Sequence, residues 1–241
     1  MTEKPEIREI NTGLVVLVGD THGEVDALFR KIKANKLKDC LLIHLGDGGE
    51  GFYKPESKQK RIYENLNRQF AERNIEYFSI RGNHADPAQF LGQINYDNFK
   101  LIPDYTVIKI NGETWQFIGG AISVDRKFRV EGRDYWRNEP FVLHEKKAVE
   151  CDVLITHTSP TWIGPNEKGR FVSDFYERDP HLRDELIKER KQMNELFNIC
   201  RPKKAFFGHF HTSETVHYSN QKYCCLGRIL DILEMVEYTK I

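Results

Sequence analysis

The chain has 241 residues, of which 39% are hydrophobic and 30% charged, and its 36 basic residues are balanced by 36 acidic ones. That balance argues against a protein that grips nucleic acid mainly through a basic excess, although a local patch stays open. The length suits one large α/β domain, and a single domain over 1–241 is expected.

The chain opens with a polar, charged stretch over 1–10, so no signal peptide is expected. An apolar run at 14–18 predicts a buried strand, and 24–35 a helix. A second strand is expected at 41–45. A helix follows at 58–74, where Ile62, Leu66 and Phe70 are spaced four apart, and then a strand at 77–80. Strands at 106–110 and 114–118 flank Asn111-Gly112, a strong hairpin signal. A strand at 153–156, a helix at 182–197 and a strand at 205–207 come next, and the alternating tail over 214–238 predicts closing strands. The stretches 123–140 and 159–180 read as long irregular loops, of the kind that tend to be functional or mobile. No repeat or linker interrupts the chain. The apolar runs are far too short to span a bilayer, so no membrane partner is expected. Cys40, Cys151, Cys200, Cys224 and Cys225 form no CxxC pair, which suggests packed, reduced thiols in a cytoplasmic protein. Strands mixed with helices imply a layered α/β architecture.

Five polar clusters each follow directly after a predicted strand or lie at its end: Gly19-Asp20-Thr21-His22-Gly23, Gly46-Asp47-Gly48-Gly49, Gly82-Asn83-His84, Thr156-His157-Thr158 and Gly208-His209-Phe210-His211. In α/β sheets, ligand sites gather at the carboxyl ends of strands, so clusters far apart in sequence can converge. Carboxylate, amide oxygen and imidazole together suit divalent transition metals, and the absence of a thiolate argues against a structural zinc finger. Any one cluster alone is a weak signal. All five in order, each behind a strand, are a strong one.

Read in order, GDTHG, GDGGE, GNHAD, THTSP and GHFH resemble the signature of the calcineurin-like metallophosphoesterases, over most of the chain from Gly19 to His211. The resemblance implies a four-layer αββα sandwich of two mixed sheets flanked by helices, with a dinuclear metal centre at one edge. It implies that Asp20, His22 and His211 bind the first metal, that Asn83, His157 and His209 bind the second, and that Asp47 bridges them. His84 would be no ligand but the catalytic group beside the scissile bond. Asp86 could orient His84 or simply cap the turn before Pro87. The expected cofactors are two divalent ions, Mn2+ first, with Fe or Zn as alternatives. Chemically, two cations about 3.5–4 Å apart clamp the attacking and leaving oxygens and make a bridging hydroxide available near neutral pH. An imidazole such as His84 is suited to proton donation there.

Departures from the family pattern narrow the reading. Gly51 stands where the serine/threonine protein phosphatases have a phosphate-binding arginine, and their histidine-glycine-glycine motif is absent. THTSP and the GGAISVDR segment at 119–126 are more similar to small bacterial and phage-type members. In the loop that follows, Arg126, Arg129 and Arg133 are candidate phosphate clamps, because guanidinium forks bind phosphate in pairs of hydrogen bonds; a solvated charged loop is the plain alternative. Tyr135 and Trp136 either stack on a base or pin the loop to the core. His44 reads as structural, His144 as solvated, and His181 and His217 match no motif. The lysines over 31–38 read as a wet helix face. The expected substrate is a phosphorylated small molecule or nucleotide. Nucleic acid is left open but not favoured, and monoester versus diester and oligomeric state stay open. The reading from another class is a silent binding scaffold, but such members usually lose ligands or the GNH histidine, and all are present here.

Overall fold

The computed structural model describes residues 8–163, 170–218, 221–227 and 236–238. In chain order the elements are β1 (Glu9–Ile10), β2 (Val15–Val18), α1 (Val25–Ala34), β3 (Cys40–His44), α2 (Glu56–Ala71), β4 (Ile75–Ser79), β5 (Phe99–Leu101), β6 (Thr106–Ile110) and β7 (Glu113–Ile118). Then come β8 (Val153–Thr156), α3 (Arg170–Arg178), α4 (Leu182–Cys200), β9 (Lys204–Phe207), β10 (Glu214–Tyr218), β11 (Gln221–Cys225) and β12 (Val236–Tyr238). A seven-stranded mixed sheet runs β1-β6-β7-β8-β9-β11-β10, and a five-stranded sheet runs β12-β2-β3-β4-β5. In the second sheet β2 to β5 are parallel and β12 joins antiparallel at the edge.

Strand alternation builds the layers. Val15, Leu17, Leu41, Ile43 and Phe78 of the five-stranded sheet face Trp115, Phe117, Val153, Ile155 and Phe206 of the seven-stranded one, giving an apolar seam whose edge at Phe78 is covered by Arg8 and Lys100. The opposite face of the five-stranded sheet, through Val16, Leu42 and Tyr77, takes Leu28 and Ile32 of α1 and Leu66 and Phe70 of α2. The outer face of the other sheet, through Leu154, Ala205 and Phe207, takes Met193, Leu196 and Phe197 of α4. The result is the expected αββα order of layers.

The expected elements recur with shifted ends. The helix expected over 58–74 begins two residues early and ends three residues early, at Glu56–Ala71, because the chain must turn back at 72–74 to start β4 at Ile75. The stretch 159–180 is not wholly irregular: α3 occupies Arg170–Arg178, and its Phe175 and Tyr176 pack against Ile122, Leu182 and Leu186. Part of the expected closing tail, 219–220 and 228–235, lies outside the described residues. Among the described residues no helix is long and apolar enough to cross a membrane. All five cysteines are free and buried.

Candidate metal centre

The five clusters meet at one edge of the sandwich, where β2, β3, β4, β8 and β9 end. Asp20 follows β2, Asp47 follows β3, and Asn83 and His84 follow β4. His157 follows β8 directly, and His209 and His211 follow β9. The turns that aim these side chains are strained. His22, Asp47, His209 and His211 all have φ between 49° and 69°, a region that side-chain-bearing residues rarely adopt. Such strain persists where the surrounding structure over-determines it, commonly at functional sites. Two glycines are required by close approach: a Cβ at Gly82 would land on the Asp47 carboxylate, and one at Gly208 on that of Asp20.

Backbone amides hold the two carboxylates. The His84 amide donates to Asp47 Oδ1 at 2.8 Å, and the His209 amide donates to Asp20 at 3.1 and 3.2 Å to its two oxygens. Around them the donor atoms form overlapping groups: Asp20, His22 and His211 in one, Asp20, Asp47 and His157 in another. A third joins His22 and Asp47 to His84, so the ring expected not to be a ligand lies within reach of one. Asn83 and His209 join through the amide oxygen, with Asn83 Oδ1 3.0 Å from His157 Nε2 and 2.8 Å from His209 Nδ1. All seven residues expected as ligands are therefore in one place.

The arrangement fits cations. Imidazole nitrogens of His22 and His211 face each other at 2.9 Å, and His211 Nε2 lies 3.2 Å from Asp20 Oδ2. His157 Nδ1 lies 2.7 Å from the Leu45 carbonyl, to which it donates, so a neutral ring turns the lone pair of Nε2 toward the oxygens of Asn83 and Asp47, at 3.0 and 3.4 Å. A lone pair facing oxygens needs positive charge between or upon them. In the absence of a cation the His157 ring itself takes up that charge. Burial pushes the His157 ring down, but Asp47 and Asp20 outweigh it and raise it to about 9. Burial pushes the Asp47 carboxyl up, yet the charges of His157 and His84 hold it well below the ordinary carboxylate range. His22 and His209, pressed by burial, fall to about 4 and about 3, which keeps their nitrogens free to coordinate.

The loop after β7 forms one wall. Arg81 lies beneath it, with Nε donating to Asp104 at 2.8 Å and its two other nitrogens donating to the carbonyls of Glu139 and Pro140 at 2.5 and 3.1 Å. Trp136 is buried and pins the loop, whereas Tyr135 is half-buried. The three candidate arginines separate. Arg126 bridges Asp179 and Glu185 toward α4. Arg133 is exposed and paired with Asp134. Arg129 makes a two-pronged contact with Asp125, at 2.6 Å for both bonds, and, although burial lowers its pKa, the charges of Asp125, Asp134 and Asp47 all raise it. Asp125 in turn feels His84. Asp86 caps the following turn by accepting from the Ala88 amide at 3.0 Å. His44 is buried against Thr21, and His144, His181 and His217 are exposed and belong to none of these donor groups. Sequence reasoning missed Ser123, whose hydroxyl is 2.9 Å from Asn83 Nδ2. Its only signal was the GGAISVDR segment at 119–126, where it follows the apolar Ala121-Ile122 five residues after β7 ends.

A strand-end cluster of this composition on an αββα sandwich defines a metal-dependent hydrolase of phosphate esters. The chain belongs to the calcineurin-like phosphoesterase family, whose sequence model matches residues 13–213. No curated protein matches the chain in sequence. Among solved structures it is similar to the phosphopantetheinyl hydrolase PptH from Mycobacterium tuberculosis, at 15% identity and a TM-score of 0.43, covering 93% of this chain and 96% of that one. It is also similar to a 5'-nucleotidase precursor from Thermus thermophilus, at 15% identity and a TM-score of 0.43, covering 95% of this chain but only 52% of that one. A third is GAP50, the anchor in the inner membrane complex of Plasmodium, at 13% identity and a TM-score of 0.41, covering 89% of this chain and 71% of that one.

Proposed function

We propose that the cluster holds two divalent cations, Mn2+ first and Fe or Zn as alternatives, and hydrolyses a phosphate ester of a small molecule or nucleotide. Asp20, His22 and His211 would hold one ion, Asn83, His157 and His209 the other, and Asp47 would be shared. The observation that carries this reading is the convergence of seven oxygen and imidazole donors, with Asp47 in two of the donor groups and His157 held by Leu45 so that Nε2 faces inward. When bound, the ions supply Lewis acidity, neutralising phosphoryl charge and lowering the pKa of an attacking water.

The chain's own residues do the rest. The strained turns fix the ligands before substrate arrives, so little reorganisation is left for the reaction itself. His84 stands beside the cluster, its ring centre 5.3 Å from that of His22, and serves as the proton donor to the leaving oxygen. Arg129, already oriented by Asp125, binds a phosphoryl oxygen from the loop wall. With no net charge overall, a small substrate is favoured over nucleic acid.

The test is hydrolysis of a chromogenic phosphomonoester and a chromogenic phosphodiester, side by side, with Mn2+ returned after chelation. Turnover that depends on the metal is expected, and the preferred ester separates the monoesterase reading from the diesterase one. Bound metal with no turnover of either ester would overturn the proposal.

A further inference from the structure

Residues 123–140, between β7 and β8, form a lobe whose two ends are held by one side chain. The Ile122 amide donates to Glu189 Oε2 at 3.3 Å, and the Phe141 amide donates to Glu189 Oε1 at 2.9 Å. Ile122, Phe141 and Glu189 are all buried. Between these ends the lobe is bonded largely to itself. The Ser123 amide donates to Glu139 Oε1 at 2.6 Å, the Val130 amide to Asp134 Oδ1 at 2.7 Å and the Gly132 amide to the Tyr135 carbonyl at 2.8 Å. Arg129 is paired with Asp125 inside it. A loop packed on its own members moves as a body, so its seat decides where Arg129 stands.

That seat is α4. Besides Glu189, the same helix offers Glu185 to Arg126 of the lobe. The next residue, Arg190, is also buried and donates to the carbonyls of Ser159, Pro160 and Ile163, at 3.3, 2.7 and 2.8 Å, in the loop behind His157. Adjacent residues of one helix therefore register the lobe against the loop that follows a proposed metal ligand. Arg81 supports the lobe from beneath by donating to the carbonyls of Glu139 and Pro140. Glu189 has the complementary task of accepting from an amide at each end. Two amides on two oxygens need a carboxylate, since a side-chain amide offers one oxygen and would turn N–H toward the second N–H. Burial pushes the Glu189 carboxyl up to about 7 and the two amide bonds oppose that rise, so above this pH both oxygens accept.

We infer that Glu189 is a positioning residue, which seats the lobe on α4 and thereby sets where Arg129 meets a phosphoryl oxygen. This rests on the substrate-binding role proposed for Arg129.

The experiment uses the full chain with Mn2+ bound, at a pH above 7 where the Glu189 carboxyl is ionised. Arg133 and Arg137 are exposed in the lobe, and trypsin cleavage after them follows the population of its open form. In Glu189→Gln one amide loses its acceptor, so cleavage there should quicken about ten-fold, with cleavage elsewhere and Mn2+ content unchanged. KM for the chromogenic ester that the wild type turns over should rise by about ten-fold, with kcat within about two-fold of wild type. Glu189→Asp draws the carboxylate back by one methylene and should show the same pattern, which keeps the test open if Glu189→Gln does not fold. In the double variant with Arg129→Gln, KM should equal that of Arg129→Gln alone, because two substitutions acting through one guanidinium do not add. Met193→Ala leaves a cavity where α4 packs on the sheet, and it should lower overall stability with KM unchanged.

Wild-type cleavage and KM in the Glu189 variants would overturn the inference. So would a KM rise that adds to that of Arg129→Gln, or the same rise in Met193→Ala. An unchanged KM in Arg129→Gln itself is a separate outcome, which sinks the proposed role of that arginine and this inference with it.

Discussion

The seam between the two sheets and the rim at their strand ends are built from the same strands, yet they obey opposite rules. In the seam, Leu17, Ile43, Phe78, Trp115 and Phe206 are buried at 1% exposure or less among apolar neighbours. A few residues further along, Asp20, Asp47, Asn83 and His157 are buried at 2% or less, but they are polar or ionisable. Burying apolar surface stabilises the fold, and burying charge opposes it unless the charge is compensated. The rim adds strained backbone at His22, Asp47, His209 and His211. The seam supplies the stability that lets the rim hold an arrangement that would not persist by itself, so the two regions respond differently to substitution.

The largest separation is expected from paired variants. His84→Ala should cut hydrolysis by roughly 10²–10⁴-fold while metal content and melting temperature stay near wild type. Trp115→Ala should do the reverse, lowering stability by about 3–5 kcal/mol through the cavity it leaves while the molecules still folded keep their metal. Denaturation curves together with metal analysis check both, and a His84→Ala protein as unstable as Trp115→Ala would erase the distinction. Arg129→Gln removes a guanidinium that already has a carboxylate partner. Its expected effect is a rise in KM of about ten-fold, the scale of one charged hydrogen bond to substrate, with the metal retained. An unchanged KM would return the loop to the solvated reading.

A smaller effect lies between the two regions. Glu139 is buried and its Oε2 has no hydrogen-bond partner among the described residues, and burial pushes its carboxyl up to about 8. The folded protein then holds a proton that the unfolded chain has already released, so this group's contribution to stability falls as pH rises from about 4.5 to 8 and levels off beyond. Glu139→Gln keeps an acceptor for the Ser123 amide and cannot ionise. Its stability relative to wild type should rise across that window by about 1–3 kcal/mol. Parallel pH profiles for the two proteins would show that Glu139 ionises freely.

The seam and the rim were also unequally legible in the sequence. The seam follows from short apolar runs such as 14–18 and 153–156, and the rim from the polar clusters that end them. What those patterns do not carry is orientation. Nothing in GDGGE announces that Asp47 sits at φ 61°, and nothing in THTSP shows the Leu45 carbonyl that turns His157. The three loop arginines look alike in sequence, and Asp179 and Glu185, distant in the chain, engage Arg126 while Arg129 pairs with Asp125. Helix α3 escaped notice because its Phe175 and Tyr176 find partners at Ile122 and Leu186, contacts that no local periodicity reveals.

The central claim is that the rim's buried charge and strain serve two cations sharing Asp47. Equilibrium dialysis with Mn2+, followed by metal analysis of wild type and Asp47→Ala, tests it most directly. About two ions per chain are predicted for the wild type, with both sites weakened in the variant because each loses its shared ligand. Full occupancy of both sites in Asp47→Ala, or no tightly held ion in the wild type, would contradict it.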